Sequence, residues 1–585
     1  MGLDFRNINT VWSSLIVDTF AKLGLENAII CPGSRSTPLT IAFAQHPTIK
    51  TIPILDERSG SFFALGMAKS SHKPVVLVCT SGTAGANFFP AIIEAKYSHI
   101  PLIILTGDRP PELRECHAGQ TINQVNLYGN YPQWQTELSL PSTDLERLFY
   151  LRQNIIHGWE KSIYPTGGIV HFNIPFREPL APTKQLNYTQ QEIENINHIL
   201  AESTFKMSPL KINYDGNYQE IISQWQQYQK GIIIAGVDCP DNPSLYTSAI
   251  ALLAQQLKFP ILAEALSPIR NHYPSHSNLI CTYDTILRNQ ENREKLKPEI
   301  IILIGEYPTS KELRKWLTEN KTLTYIITPT LDNLDALHSH TQHLRINIIN
   351  LVKNIQEKPT HKDTKKNEIY LKQWLNINEK IQNKIDHIMD NHQELFEGKI
   401  SWLLSKNLPP HIPIFIANSM SVRYAEYFWQ PNQNPREIYF SRGANGIDGT
   451  LSTALGIAQE KHQAVLLTGD LALLHDTNGF LINQHLSGSL TIILVNNHGG
   501  GIFEMLPIAE FNNIFEEYFA TPQNIDFKHL TQTYNVKYKL IENWQELINN
   551  IKNLSSQGIT LLEIKTNRKY DSWWLKNQLP NLSKS

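Results

Sequence analysis

AVLLTGD, from Ala464 to Asp470, and TIILVNN, from Thr491 to Asn497, are the two stretches whose reading decides the fold. Each is a short apolar run closed by polar residues, and His498-Gly499-Gly500 follows the second. Runs of this kind, bounded by turn-forming residues, read as buried strands of a parallel sheet. The segment between them, LALLHDTNGFLINQHLSG, reads as one crossover helix. Ligands of an open parallel sheet bind beyond the carboxyl ends of its strands, where both polar pairs fall. Asp470, the side-chain oxygen of Asn497 and the backbone carbonyl of Gly499 are then three hard oxygen donors in one place. Such a set, with positions left for phosphate oxygens and water, suits Mg²⁺, with Mn²⁺ as the alternative. The N-terminus of the crossover helix would face the phosphate. Gly-Asp or Asn-Asn alone is most often a turn. Their pairing at two strand ends, with Asn496 following Asp470 by 26 residues, is what carries chemistry.

Outward from this pair, the rest of the chain repeats the theme. IPIFIANS precedes the two strands and ITLLEIK follows them, giving a third block over residues 369–585. The first block, residues 1–185, carries AIICPGSR, PVVLVCTSG, PLIILTGDRP and GGIVHFNIP; the second, residues 205–356, carries KGIIIAG, FPILAEALS and PEIIILIG. Strands alternating with helical patterns predict an α/β protein of three doubly wound parallel-sheet domains. The proline-containing stretch Pro175–Thr183 and the charged run Glu357–Glu368 read as linkers. A chain of 585 residues is in any case too long for one core.

Composition excludes several classes. A net charge of −2 gives no field for nucleic acid or a membrane surface. No apolar run approaches the roughly 20 residues of a membrane span, and the N-terminus has no signal-peptide pattern. Five scattered cysteines without a CxxC pair argue against disulfides or zinc and for a reducing compartment, the cytoplasm or a plastid stroma. No GxGxxG follows an early strand, so a dinucleotide-dependent dehydrogenase does not fit.

The Gly469-Asp470 to Asn496-Asn497 pattern resembles the cofactor motif of thiamine diphosphate-dependent enzymes, with Leu471 where a third glycine is usual. CPGSRSTPL (Cys31–Leu39), LTGDRPPEL (Leu105–Leu113), SRGANGIDG (Ser441–Gly449) and GGGIFEMLP (Gly499–Pro507) narrow the resemblance. They are similar to one branch, the MenD family of carboligases in menaquinone and phylloquinone biosynthesis. The resemblance implies pyrimidine-binding, central and diphosphate-binding domains in that order. It also implies a homo-oligomer, dimer or tetramer, whose active sites lie between subunits. The implied reaction is decarboxylation of 2-oxoglutarate and 1,4-addition of the remaining carbons to isochorismate.

Site residues follow by the same resemblance. Glu57, in ILDERSGSFFALGMAKS, would bond N1′ of the aminopyrimidine and promote its imino form. Ile447 would wedge under the cofactor, with Gly469, Asp470, Leu471 and Asn497 around the diphosphate. Arg423 and Arg442 would hold the distal carboxylate of 2-oxoglutarate, with Ser419 nearby. Ser34, Arg35, Arg109, Gln120 and Lys311 would surround isochorismate and the reacting carbons, and Gln120 would position the intermediate. Ile502, Phe503 and Leu506 would form an apolar wall. The residue after Lys311 is Glu312, where some members of the resembled family carry arginine, and Arg314 follows two positions on. The arginines make chemical sense on their own, because two dicarboxylates need forked cationic partners. A pyruvate-using relative would need no cation pair at Arg423 and Arg442, and an acetolactate synthase would bind FAD in a middle block that here lacks a glycine-rich loop.

Overall fold

The computed structural model describes residues 2–201, 218–272, 278–353, 365–432 and 435–584. Eighteen strands form three six-stranded sheets, and every strand pairing within them is parallel. The first sheet holds β1 (Asn27–Ile30), β2 (Lys50–Pro53), β3 (Val75–Cys79), β4 (Leu102–Asp108), β5 (Trp134–Glu137) and β6 (Ile169–Pro175), in the order β2-β1-β3-β4-β6-β5. The second holds β7 (Gly231–Ala235), β8 (Ile261–Ala263), β9 (Leu279–Ile280), β10 (Ile300–Ile304), β11 (Leu323–Ile327) and β12 (Thr341–Leu344), in the order β12-β11-β10-β7-β8-β9. The third holds β13 (Ile414–Ile416), β14 (Ile438–Tyr439), β15 (Gln463–Gly469), β16 (Ser489–Asn496), β17 (Lys537–Ile541) and β18 (Gly558–Lys565), in the order β14-β13-β15-β16-β18-β17. Counted within their own sheets, the first and third share one order, so their switch points fall between corresponding strands. The α/β class and the three parallel sheets agree with the sequence reading.

The third sheet is apolar on both faces because both are covered. One apolar core joins β15, β16 and β18 to the first domain through Phe62, Phe63 and Met67; a second joins the opposite face to the middle domain through Leu262, Tyr283 and Trp316. The seam between the first and third domains is the crossing of helix Glu57–Ser71 with helix Thr450–Lys461. A Cβ added at Gly66 would lie 2.0 Å from the Thr453 carbonyl oxygen, and one at Gly456 would lie 2.1 Å from that of Phe63. Two glycines therefore let the helix backbones touch, and overfilling such a contact typically costs about 1–3 kcal/mol.

Three sequence expectations need comment. The segment after Asp470 is two pieces, a short helix Asp470–Leu474 and a 3₁₀ stretch Thr477–His485, rather than one helix. Buried Asp476 interrupts it, its carboxylate accepting from the Ser452 N–H (2.7 Å) and Ser452 Oγ (3.0 Å) of the neighbouring helix. The stretch Pro175–Thr183 is no free linker. Asn7 Nδ2 donates to the carbonyls of Ala181 and Thr183, and Asn9 Nδ2 to those of Arg177 and Pro179, tying it to helix Ile8–Leu23. Most of the run Glu357–Glu368 lies outside the described residues, as do the expected domain edges at 205 and 356; helix Lys365–Asn391 starts within the run.

Candidate functional site

The switch point of the third sheet lies between β13 and β15, and a cavity of about 440 Å³ opens beyond their carboxyl ends. Ser419, Arg423, Arg442, Ile447, Gly469, Asp470, Leu471, Asn497, Gly499, Ile502 and Phe503 are brought together in its lining. Its remaining lining also comes from residues 369–585, and among the described residues none of it comes from the first domain or the second sheet. Leu506 is the exception within its trio: it ends the 3₁₀ turn Gly501–Met505 and stays outside the lining.

Asp470 and Asn497 face each other across β15 and β16. Asp470 Oδ2 accepts the Gly499 N–H at 2.8 Å, drawing the two strand ends together. Burial pushes the Asp470 carboxyl up to about 6 despite the backbone donors around it. Asn497 Nδ2 donates to Glu397 Oε1 at 2.6 Å, which fixes which end of the amide points where. Its Oδ1 is then left buried with no hydrogen-bond partner among the described residues. The Gly499 carbonyl accepts the Gly501 N–H at 2.9 Å, leaving one lone pair. An added Cβ at Gly469 would meet nothing within 4 Å, so the turn is open to a ligand.

The arginines approach from the other side. Arg442 donates to Asn418 Oδ1 at 2.9 Å, and Arg423 NH1 donates to the Ser419 carbonyl. Ser419 holds φ 67°, a strained conformation for a residue with a Cβ, of the kind that collects at ligand sites. Burial lowers the Arg423 and Arg442 pKa values, and Arg314 of the middle domain lowers both further. Three guanidinium groups thus lie within electrostatic range of one cavity edge. Lys311 is exposed at the start of helix Lys311–Asn320, and Glu312 is paired with Arg293 at 3.4 Å. Arg314, held by the Tyr307 and Pro308 carbonyls, is therefore the middle-domain cation that senses the arginine pair.

The other predicted residues form a second cluster, at the carboxyl edge of the first sheet. Arg35 is buried, with its N–H on Thr80 Oγ1 (3.0 Å) and its guanidinium on the Phe176 carbonyl (2.9 Å). Arg109 donates to Ser81 Oγ, and Gln120 Nε2 to the Ser81 carbonyl at 2.9 Å. Glu57 opens helix Glu57–Ser71, next to the capping residue Asp56, which accepts from the N–H groups of Arg58 and Ser59. Ser34 and Gln120 are exposed. All the predicted residues but Lys311 and Leu506 thus fall into two groups, at the switch points of two sheets.

Family models match the chain in three consecutive parts. The thiamine pyrophosphate enzyme N-terminal TPP-binding domain matches residues 11–127, the middle domain residues 212–416, and the C-terminal TPP-binding domain residues 419–564. A 2-succinyl-5-enolpyruvyl-6-hydroxy-3-cyclohexene-1-carboxylate synthase of Gloeothece citriformis is 56% identical over 584 residues, covering 100% of both chains. The chain belongs to this synthase family. A synthase of the same name from Rippkaea orientalis is 55% identical, covering 100% of this chain and 98% of its own. Among solved structures, the benzoylformate decarboxylase of Polynucleobacter necessarius superposes with a TM-score of 0.69 at 14% identity, covering 95% of this chain and 98% of its own. The 4-hydroxybenzoylformate decarboxylase of Rhodococcus jostii gives 0.66 at 15%, covering 95% and 99%. These two speak for the fold alone.

The cavity fits the cofactor that the synthase family uses. An orphaned amide oxygen, a buried carboxylate and a carbonyl with a spare lone pair are hard donors that suit a cation. Among the described residues no cluster of three His, Cys, Asp or Glu side chains could hold a metal, so such an ion would rely on these three and on ligand oxygens. Two contributors escaped the sequence reading. Glu397, which orients Asn497, has no local motif. Asn418 does lie in IPIFIANS, where a polar residue closing a strand was a usable signal; its Nδ2 bonds the carbonyls of Ser441 (2.7 Å) and Gly446 (2.8 Å). His117, His475 and His498, all near motifs, are absent from the cavity lining, and all five cysteines are free.

Proposed function

We propose that this chain decarboxylates 2-oxoglutarate and adds the remaining carbons 1,4 to isochorismate, giving 2-succinyl-5-enolpyruvyl-6-hydroxy-3-cyclohexene-1-carboxylate. The observation that carries the reading is the joint lining of one cavity by Asp470, Asn497, Arg423 and Arg442. A metal-anchored diphosphate and a carboxylate-terminated substrate then share one enclosure.

Asp470, Asn497 Oδ1 and the Gly499 carbonyl would hold Mg²⁺ or Mn²⁺, and with it the diphosphate of thiamine diphosphate. When bound, that cofactor supplies the electron sink for decarboxylation. Arg423 and Arg442 grip the distal carboxylate of 2-oxoglutarate in forked hydrogen bonds, which fixes the 2-oxo carbon toward the reacting centre. Ile447 would pack against the cofactor from the cavity wall, while Ile502 and Phe503 would keep water from the reacting carbons. Glu57 would supply the carboxylate that accepts a hydrogen bond from the cofactor's pyrimidine ring and exchanges a proton with it. Arg35, Arg109, Gln120 and Ser34 would receive the second dicarboxylate, and exposed Lys311 is the further cation that the resemblance assigns to it.

Glu57 and the cavity belong together only if two copies of the chain meet. The cavity admits no residue of its own first domain, and the region around Glu57 is occupied within the chain: Arg58 donates to the His475 carbonyl (2.7 Å) and Asn478 Nδ2 to Asp56 (2.6 Å). The reading is therefore a homo-oligomer with interfacial sites. Among the described residues no helix is long and apolar enough to cross a membrane.

Incubation with 2-oxoglutarate, isochorismate, thiamine diphosphate and Mg²⁺, followed by mass analysis, tests this. The adduct is expected only when all four are present; turnover of pyruvate in preference to 2-oxoglutarate would refute it. Arg423→Ala should raise the 2-oxoglutarate KM by about tenfold or more, the loss of one charge-assisted contact, and leave that of isochorismate nearly unchanged. Equal effects on the two would mean that the pockets are misassigned.

A further inference from the structure

We infer that Glu94, a residue of the first domain outside the cavity, positions Arg442 for the 2-oxo acid. The inference rests on the reading of Arg442 as a carboxylate holder. Arg442 and Ile447 sit on one loop, and that loop is gripped from two sides. On the cavity side, Asn418 bonds the carbonyls of Ser441 and Gly446 and accepts from Arg442 itself. On the far side the partner is the first domain of the same chain. Glu94, 3% exposed in helix Phe89–Tyr97, accepts the Gly443 N–H on Oε1 (3.0 Å) and the Ala444 N–H on Oε2 (2.7 Å). Ser98 Oγ donates to the same Oε1 at 2.8 Å and fixes the carboxylate's rotation. Buried Lys69 adds a donor to the Phe440 carbonyl, two residues before Arg442.

The fit is close enough to specify residues on both sides. A Cβ at position 443 would lie 2.8 Å from the Glu94 carbonyl oxygen and 2.9 Å from Ser98 Oγ, so the loop lies directly on the helix end and needs its glycine. The two adjacent backbone N–H groups each meet a separate oxygen of the Glu94 carboxylate, a two-pronged geometry that matches their spacing. A glutamine of the same size offers one oxygen, and turns an NH₂ toward the second N–H. Glu94 is absent from the cavity lining, so its influence on substrate passes through the loop. The arrangement makes the first domain of each chain a support for its own 2-oxo-acid pocket, separate from the role its Glu57 plays at a partner's cofactor.

The test compares Glu94→Gln, Arg442→Ala and the double variant in the full-length enzyme with cofactor and Mg²⁺ saturating. Glu94→Gln is expected to raise the 2-oxoglutarate KM by about tenfold, one broken charged contact, with the isochorismate KM within about twofold. The double variant should be no worse than Arg442→Ala, because both act through one guanidinium. Ser98→Ala, a milder change that keeps the carboxylate, should shift the 2-oxoglutarate KM in the same direction by a smaller factor. A lowered thermal midpoint with both KM values unchanged or equally raised would reduce Glu94 to a structural residue and overturn the inference. Additive losses in the double variant would overturn it as well. If Arg442→Ala itself leaves the 2-oxoglutarate KM unchanged, the carboxylate reading of Arg442 fails first, and the inference with it.

Discussion

Asn497 shows how far a single residue can be read. Its place after an apolar run marked it as a strand-end oxygen donor, and the structure supplies what the sequence lacked: Glu397 takes the amide nitrogen and leaves Oδ1 with no other role. No motif announces Glu397, because the pairing joins residues 100 positions apart. Lys311 was legible as a charge near a family motif, but its exposure and the Arg293–Glu312 pair were not. Asp470→Ala is expected to abolish Mg²⁺-dependent cofactor binding in calorimetry; normal affinity would remove the metal site. Glu57→Gln should leave cofactor affinity largely intact while cutting turnover by more than about 100-fold, the low end for a proton-transfer group. Unchanged turnover would take Glu57 out of the mechanism.

At the scale of elements, apolar runs ending in turn residues gave eleven inner strands of the three sheets, since burial on both faces writes a continuous apolar signature; the six edge strands and β11 carried no such run. The order of the strands is set by which helix covers which face, and no run of residues encodes that. The break after His475 was equally hidden. It arises from hydrogen bonds of Asp476 to a helix some 24 residues away. Pairing of β4 with β6 also carries a titration consequence. His171 of β6 is buried between Thr106 Oγ1 (2.8 Å) and the Tyr128 ring (4.8 Å), and burial lowers its pKa to about 3. The folded chain keeps this ring neutral, while the unfolded chain takes up a proton near pH 6.5. Stability is therefore fully present above pH 6.5 and falls as pH drops toward 3, by at most about 5 kcal/mol. The difference in thermal midpoint between wild type and His171→Gln should shrink steadily from pH 7 to pH 5. A constant difference across that range would contradict a neutral buried histidine.

Over the whole molecule, the candidate site is divided: a cavity lined by Asp470, Asn497, Arg423 and Arg442 at one switch point, and Glu57, Arg35, Arg109 and Gln120 at another. A partner subunit is what the resemblance alone implies; the three-domain plan was legible in the chain. The seam was not, because it depends on Gly66 and Gly456 meeting backbones far away in sequence. The central claim is that Glu57 of one chain serves the Asp470 cavity of another. Co-assembly of two inactive variants, Glu57→Gln and Asp470→Ala, tests it most directly. In a mixed pair, one of the two interfacial sites has both native residues, so random pairing should restore about one quarter of wild-type activity. No recovery in assemblies shown to contain both variants would contradict the account, since a site built within one chain would carry a lesion in every copy.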